Sequence, residues 1–388
     1  MPVLNSVADM APDITAWRRD FHMHPELLYE VDRTASVVAE KLRAFGCDEV
    51  VPGVGRTGVV GVIRGRTNNS GKVIGMRADM DALPIEETTG LDYASKTPGL
   101  MHACGHDGHT AMLLGAARYL AETRNFDGTA VVIFQPAEEG GAGGKAMVED
   151  GLMERWGIQE VYGMHNAPGL PIGDFAIRPG PMLAASDWIF INLTGKGGHA
   201  AKPHLAVDTI LVGSHIVTAL QSIAARNVDP LQSGVVSICT FRAGNAGNVI
   251  PNTAYLEGTA RSLLPEVRDL LEERVVSVTE ATAKAFGATV DVEYRRDYPV
   301  TCNHPDQTVF AAGVARQIAG DTRVDDNITP VMGGEDFSFM LEARPGAFIF
   351  LGNGDSASVH HPAYDFNDDA IPAGVSFWAR LVETSMPA

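Results

Sequence analysis

Four short apolar runs in this chain each break off into carboxylates or histidines. Lys72–Arg77 leads to Asp79 and Asp81, and Ala130–Phe134 leads to Glu138 and Glu139. Val161–Met164 leads to His165, and Ala347–Leu351 leads to His360 and His361. Runs of this length predict buried strands. Helical patterns at 13–21, 33–45 and 111–121 alternate with them. Buried strands alternating with helices predict an α/β domain with a mostly parallel sheet flanked by helices. Ligands of such sheets bind beyond the carboxyl ends of the strands. The four polar clusters are therefore expected at one edge of one sheet.

The middle of the chain follows another order. Strand patterns at 187–194, 234–241, 254–262 and 289–294 are interleaved with helical patterns at 207–225 and 265–286. The order strand-helix-strand-strand-helix-strand predicts a ferredoxin-like α+β domain. The expected division is residues 1–182 with 297–388 for the outer domain and 183–296 for the inserted one.

A chain of 388 residues exceeds the usual size of one core, which agrees with two domains. The formal net charge of −18 disfavours nucleic acid and anionic membrane surfaces as partners. No stretch has the length of a membrane-spanning helix, and the first residues lack a secretory pattern. Cys47, Cys104, Cys239 and Cys302 form no disulfide framework, so a cytoplasmic location is expected.

The run His102-Ala-Cys104-Gly-His106-Asp107-Gly-His109 carries the most chemistry. Imidazole and thiolate suit zinc, manganese, nickel or cobalt better than calcium or magnesium. The competing reading is a polar loop capping a helix. Glu138 and Glu139 could divide two tasks, metal binding and proton transfer. They would equally suit the first turn of a helix. Asp81 fits the role of orienting a ligating imidazole. His165, His360 and His361 would be unremarked singly and gain weight from the shared strand-end pattern. His199 in a Gly-rich loop, Asn248 in Gly-Asn-Val-Ile-Pro and Arg261 on a strand have ordinary turn or surface explanations when taken alone.

Together these motifs resemble the M20 family of metal-dependent amidohydrolases. The similar branch holds hippurate hydrolases, N-acyl-amino-acid amidohydrolases and indoleacetyl-amino-acid hydrolases. The matching segments are 77–84, 102–109, 135–139, 198–201, 247–251, 333–337 and 360–366, in the family's order. The resemblance implies a catalytic domain with an inserted dimerisation domain. It implies two divalent ions per subunit (Zn, Mn, Ni or Co) held by Cys104, His106, Glu139, His165 and His360. Glu138 would be the general acid/base, and His199 would reach the active site of a neighbouring subunit. Asn248 and Arg261 would bind the polar end of the substrate. The implied assembly is a homodimer or a dimer of dimers, and the implied substrate is a small N-acyl amino acid. Two alternatives stand beside this: a metallo-dipeptidase or aminopeptidase on the same scaffold, and a non-catalytic metal-binding regulatory protein.

Overall fold

The apolar runs become neighbouring strands. The computed structural model describes residues 5–388. In it β1 (Glu49–Val54), β2 (Gly58–Arg64), β3 (Val73–Asp79), β4 (Thr129–Gln135) and β5 (Glu160–Pro168) join the Gly346–Gly354 strand and two short strands in an eight-stranded sheet. The order is β1-β2-β4-β3-β5, then 346–354, 175–176 and 324–325. The four strands β4, β3, β5 and 346–354 run parallel at its centre. They are the four runs singled out by sequence, so their carboxyl ends share one edge. β1 and β2 form an antiparallel hairpin that the sequence patterns did not indicate.

Both faces of the sheet are covered, which explains why its strands lack alternation. Along β4, Ala130, Val132 and Phe134 enter the large core shared with α1 (Asn5–Met23), α2 (Asp32–Ala44) and α3 (His106–Thr123). Val131 and Ile133 are equally buried on the opposite face, where Ile133 lies close to Ile158 and Val161. The C-terminal helix Ile371–Ser385 packs on α3 and on the Pro305–Ala319 helix. This unit comprises residues 5–182, 302–329 and 336–388.

The second unit comprises residues 183–301 and 330–335. Its strands Ala185–Thr194, Gly234–Ala243, Thr253–Ser262 and Thr289–Tyr298 make an antiparallel sheet in the spatial order fourth, first, third, second. That is the ferredoxin-like arrangement. Strand 253–262 alternates buried and half-buried positions as a one-sided strand must. Leu256 and Ala260 meet Val212, Ile216 and Leu220 of helix Thr209–Arg226 and Leu271 and Val275 of helix Pro265–Ala285. Asp208 caps the first helix by accepting from the N–H groups of Ile210 and Leu211. Pro265 starts the second, where its missing N–H costs nothing.

Among the described residues, no helix is long and apolar enough to cross a membrane.

Candidate metal centre

The His/Cys run does not form a loop ahead of Ala111. It forms the entrance and first turn of α3, which starts at His106. Gly105 occupies the N-cap with φ +96°, and a Cβ there would lie 2.2 Å from Asn166 Nδ2 and 2.5 Å from Tyr364 Oη. Only glycine fits both constraints. Asp107 sits in the first turn, where the helix dipole favours a carboxylate.

Hydrogen bonding sorts the histidines. His106 donates from Nδ1 to the Asp81 carbonyl at 2.7 Å, and His165 donates from Nδ1 to the Asn166 carbonyl at 2.7 Å. A carbonyl can only accept, so both rings carry the Nδ1 proton and leave Nε2 as the nitrogen turned toward a ligand. His106 Nε2 is buried and makes no hydrogen bond, and His165 Nε2 faces Cys104 Sγ at 3.3 Å. His109 differs: its Nδ1 meets Asp79 Oδ1 at 2.7 Å, and its Nε2 accepts the Asn166 N–H at 3.0 Å. Its lone pair is already engaged. His102 is fully buried, and burial pushes its pKa down to about 3.

The carboxylates come from β4. Ala137, with φ +56°, turns the chain so that Glu138 and Glu139 follow the strand end. Asp81 receives both backbone N–H groups, Glu138 on Oδ1 at 2.9 Å and Glu139 on Oδ2 at 3.1 Å. Glu139 Oε1 lies 3.2 Å from His360 Nε2. His360 adopts φ +64° and donates its backbone N–H to the Ala103 carbonyl at 2.7 Å. His361 is exposed, and its Nδ1 accepts the Ala363 N–H at 3.0 Å. The structure thus turns His360, not His361, toward Glu139.

Two donor triads contain Cys104. Cys104 Sγ, His106 and His165 offer atoms within 4.8 Å of one another, and so do Cys104 Sγ, Glu139 and His360. Cys104 belongs to both. Glu138 lies within the same reach of His106 and Glu139. Burial raises the Glu139 pKa, but the hydrogen bond from His360 and the charges of His106 and His360 outweigh it and hold the carboxyl below its usual value. Burial drives the His165 pKa well below 6.5, which keeps that imidazole neutral. A cysteine sulfur, imidazoles that present Nε2, an ionised carboxylate and a buried His106 Nε2 without a hydrogen bond fit divalent metal ions.

The remaining expected residues lie in the second unit. His199 pairs with Val249 across a two-residue ladder, and Ala200 donates its N–H to the Asn248 carbonyl. His199 and Asn248 therefore share one loop cluster, and His199 is exposed. Arg261 is paired opposite Ser186, whereas Thr253 is paired opposite Thr194. At ~3.4 Å per residue, Arg261 stands roughly 25 Å along the strand from the end nearest His199 and Asn248. Arg261 is half-buried and donates to the Ala260 carbonyl. The structure groups two of the three and separates the third.

Comparison with known proteins identifies the family. The family described as Peptidase family M20/M25/M40 matches residues 75–384. The chain belongs to that family. A hippurate hydrolase of Campylobacter jejuni is 42% identical over 381 residues, covering 98% of both chains. An N-acetyl-L-cysteine deacetylase of Bacillus subtilis is 41% identical over 356 residues, covering 91% of this chain and 83% of the other. A Bacillus subtilis structure described as a dinuclear metal-binding peptidase of family M20 superposes with a TM-score of 0.84 at 33% identity, covering 98% and 99% of the two chains.

Several residues of this M20 chain's centre escaped the sequence reading. Arg77 is fully buried beneath it, donating to Gln135 Oε1 at 2.9 Å, Asp79 Oδ2 at 2.7 Å and Asp336 Oδ1 at 2.9 Å. Burial holds the Asp336 pKa up at about 6 despite the adjacent Arg77. Asn166 joins three ligand-bearing segments. It gives Nδ2 to the Cys104 carbonyl at 2.6 Å, its carbonyl takes the His165 proton, and its Oδ1 accepts from Tyr364 at 2.7 Å. A signal was available: Arg77 closes one run read as a buried strand, Gln135 and Asn166 follow two others within two residues, and buried polar groups need partners.

Proposed function

We propose that this protein hydrolyses the amide bond of small N-acyl amino acids with two divalent metal ions, releasing a carboxylic acid and a free amino acid. The observation that carries this reading is the pair of donor triads sharing Cys104, with Glu138 beside them. Cys104, His106 and His165 would hold one ion, and Cys104, Glu139 and His360 the other. A shared thiolate favours zinc, manganese, nickel or cobalt. Bound there, the ions would supply Lewis-acid activation of water and of the amide carbonyl. Glu138 takes the proton of the attacking water and passes it to the leaving amine. Its backbone is pinned by Asp81, so the carboxylate is aimed by the same residue that fixes His106.

The substrate class follows from what the relatives' names share. Hippurate and N-acetylcysteine differ in the acyl half but agree in an amine half that is an amino acid with a free carboxylate. Arg261 and Asn248 stand too far apart within one chain to share that carboxylate, so Arg261 and the partner subunit's Asn248 would reach it together. A homodimer through the inserted domain is supported by exposed Leu205, Ile210, Leu211, Phe241 and Val249, and by edge strand 234–243. In it, the partner subunit's His199 would stabilise the oxyanion. Among the described residues the four cysteines are free, which supports a reducing, cytoplasmic location.

The dipeptidase reading is weakened at Asp79. Branches of that kind place a histidine ligand there, whereas Asp79 is engaged by Arg77 and His109. The binder reading leaves Glu138 without a task. The test is hydrolysis of N-benzoyl, N-acetyl, N-indoleacetyl and dipeptide substrates by metal-stripped protein with Zn, Mn, Ni or Co restored singly. Turnover of the acyl substrates with metal is expected. Full activity in metal-free protein would overturn the proposal.

A further inference from the structure

The N-terminal helix α1 carries a buried arginine that the chemistry above does not use. Arg18 is fully buried. Its Nε lies 3.0 Å from Asp107 Oδ2, its Nη2 pairs with Asp365 Oδ1, and its Nη1 lies 3.8 Å from Asp368 Oδ1. Its guanidinium stands 5.0 Å from the ring centroid of Tyr93, whose hydroxyl donates to Asp365 Oδ2 at 2.8 Å. His22, one turn on, meets Asp107 Oδ2 at 2.8 Å and Glu87 Oε1 at 3.3 Å.

We propose that Arg18 is a positioning residue that ties the Cys104–Asp107 turn to the loop following His360 and so holds the donor set Cys104, Glu139 and His360. This rests on the two-ion reading above. The acidic partners are placed tellingly. Asp107 directly follows His106, and Asp365 follows Tyr364, whose hydroxyl reaches Asn166 beside His165. His360 itself has little support: it is half-exposed, at positive φ, held by one backbone hydrogen bond and by Glu139. The loop that carries it is anchored through its backbone by Thr88 on the Pro362 carbonyl and Asn353 on the Asp365 carbonyl, and Arg18 adds the charged anchor on the Asp365 carboxylate.

Stability alone does not explain the cluster. Desolvating buried ions is costly, and apolar residues of similar volume often serve a core as well or better. A guanidinium does what an apolar side chain cannot: its rigid fork sets the spacing between two carboxylates on separate segments. A lysine ammonium keeps the charge but loses the fork.

The experiment compares wild type, Arg18→Lys, Asp365→Asn and Tyr93→Phe, each loaded with Zn. Elemental analysis counts the ions, and release to a chromogenic chelator follows each one. Wild type is expected to hold two. In Arg18→Lys and Asp365→Asn, one ion should leave at least tenfold faster while the other stays within about twofold of wild type. Tyr93→Phe should show the same selectivity more weakly. Asp365 is part-exposed and Tyr93→Phe removes only a hydroxyl, so these variants decide if Arg18→Lys fails to fold. Wild-type release of both ions from Asp365→Asn, or equal acceleration of both, would overturn the proposal. Wild type that binds no ion would instead sink the metal reading beneath it.

Discussion

His106 gives its Nδ1 proton to the backbone carbonyl of Asp81 at 2.7 Å, and that single bond decides which of its nitrogens faces the centre. The Asp81 carboxylate simultaneously takes the N–H groups of Glu138 and Glu139. One residue after β3 thus sets the aim of three side chains from two other segments. Its backbone serves the imidazole and its side chain serves the glutamates.

Asp81→Asn should separate these duties. The carbonyl bond to His106 survives, but an amide has one acceptor oxygen for two N–H groups, so one glutamate loses its anchor. Loss of such outer support typically costs about 10–100-fold in metal affinity or activity. Metal titration and kcat/KM on an N-acyl amino acid measure it. Values equal to wild type would show that the Asp81 carboxylate does not orient the glutamates.

Adjacent Glu138 and Glu139 should fail in different ways. Glu139 lies against His360 within a donor triad, whereas Glu138 stands beside it. Glu138→Gln should keep its metal and lose about 10²–10⁴-fold in kcat. Glu139→Gln should lose metal first, and excess metal should recover part of its activity. Elemental analysis with steady-state kinetics distinguishes them. Metal loss in Glu138→Gln with its rate kept on reconstitution would mean the two roles are exchanged.

The strand ends were legible because buried parallel strands announce themselves as unbroken apolar runs, and a decorated end stands out against them. The choice among His102, His106 and His109 was not legible from spacing, since it depends on what the second ring nitrogen meets. Asp79, which claims His109, and Asp81, which claims His106, lie far away in sequence. His360 and His361 were inseparable for a similar reason: a backbone φ of +64° turns one inward. Arg18 beside Arg19 looks like a pair of solvated charges on an amphipathic helix. Only the packed fold shows one buried and the other near the surface. The separation of Arg261 from His199 follows from the register of strand 253–262, which a sequence pattern does not supply.

His22 gives the protein a pH-dependent stability. Burial lowers its pKa, but hydrogen bonds to Asp107 and Glu87 outweigh this and raise it from 6.5 to about 9. Arg18, Asp107, Glu87, His102 and Tyr93 face it. A histidine raised on folding contributes its full stabilisation below pH 6.5 and loses it as pH climbs through about 9. A shift of this size corresponds to on the order of 3 kcal/mol. Urea unfolding of wild type should therefore weaken between pH 6.5 and 9.5, and His22→Gln should show a flatter profile over the same window. Parallel profiles would show that His22 is not the titrating group.

The last prediction concerns assembly. His199 and Asn248 share an exposed loop cluster on the inserted domain, and the proposal has them serve the neighbouring subunit's centre. His199→Ala and Glu138→Gln homodimers should then each be nearly inactive. Mixing them with subunit exchange should restore activity. In a mixed dimer one site combines an intact Glu138 from one chain with an intact His199 from the other, while the second site lacks both. If the sites act independently, a mixed dimer should reach about half the activity of a wild-type dimer. Exchange is confirmed by mass or by fluorescence energy transfer between labelled chains. Confirmed exchange without recovered activity would mean that His199 acts within its own chain or takes no part in the reaction.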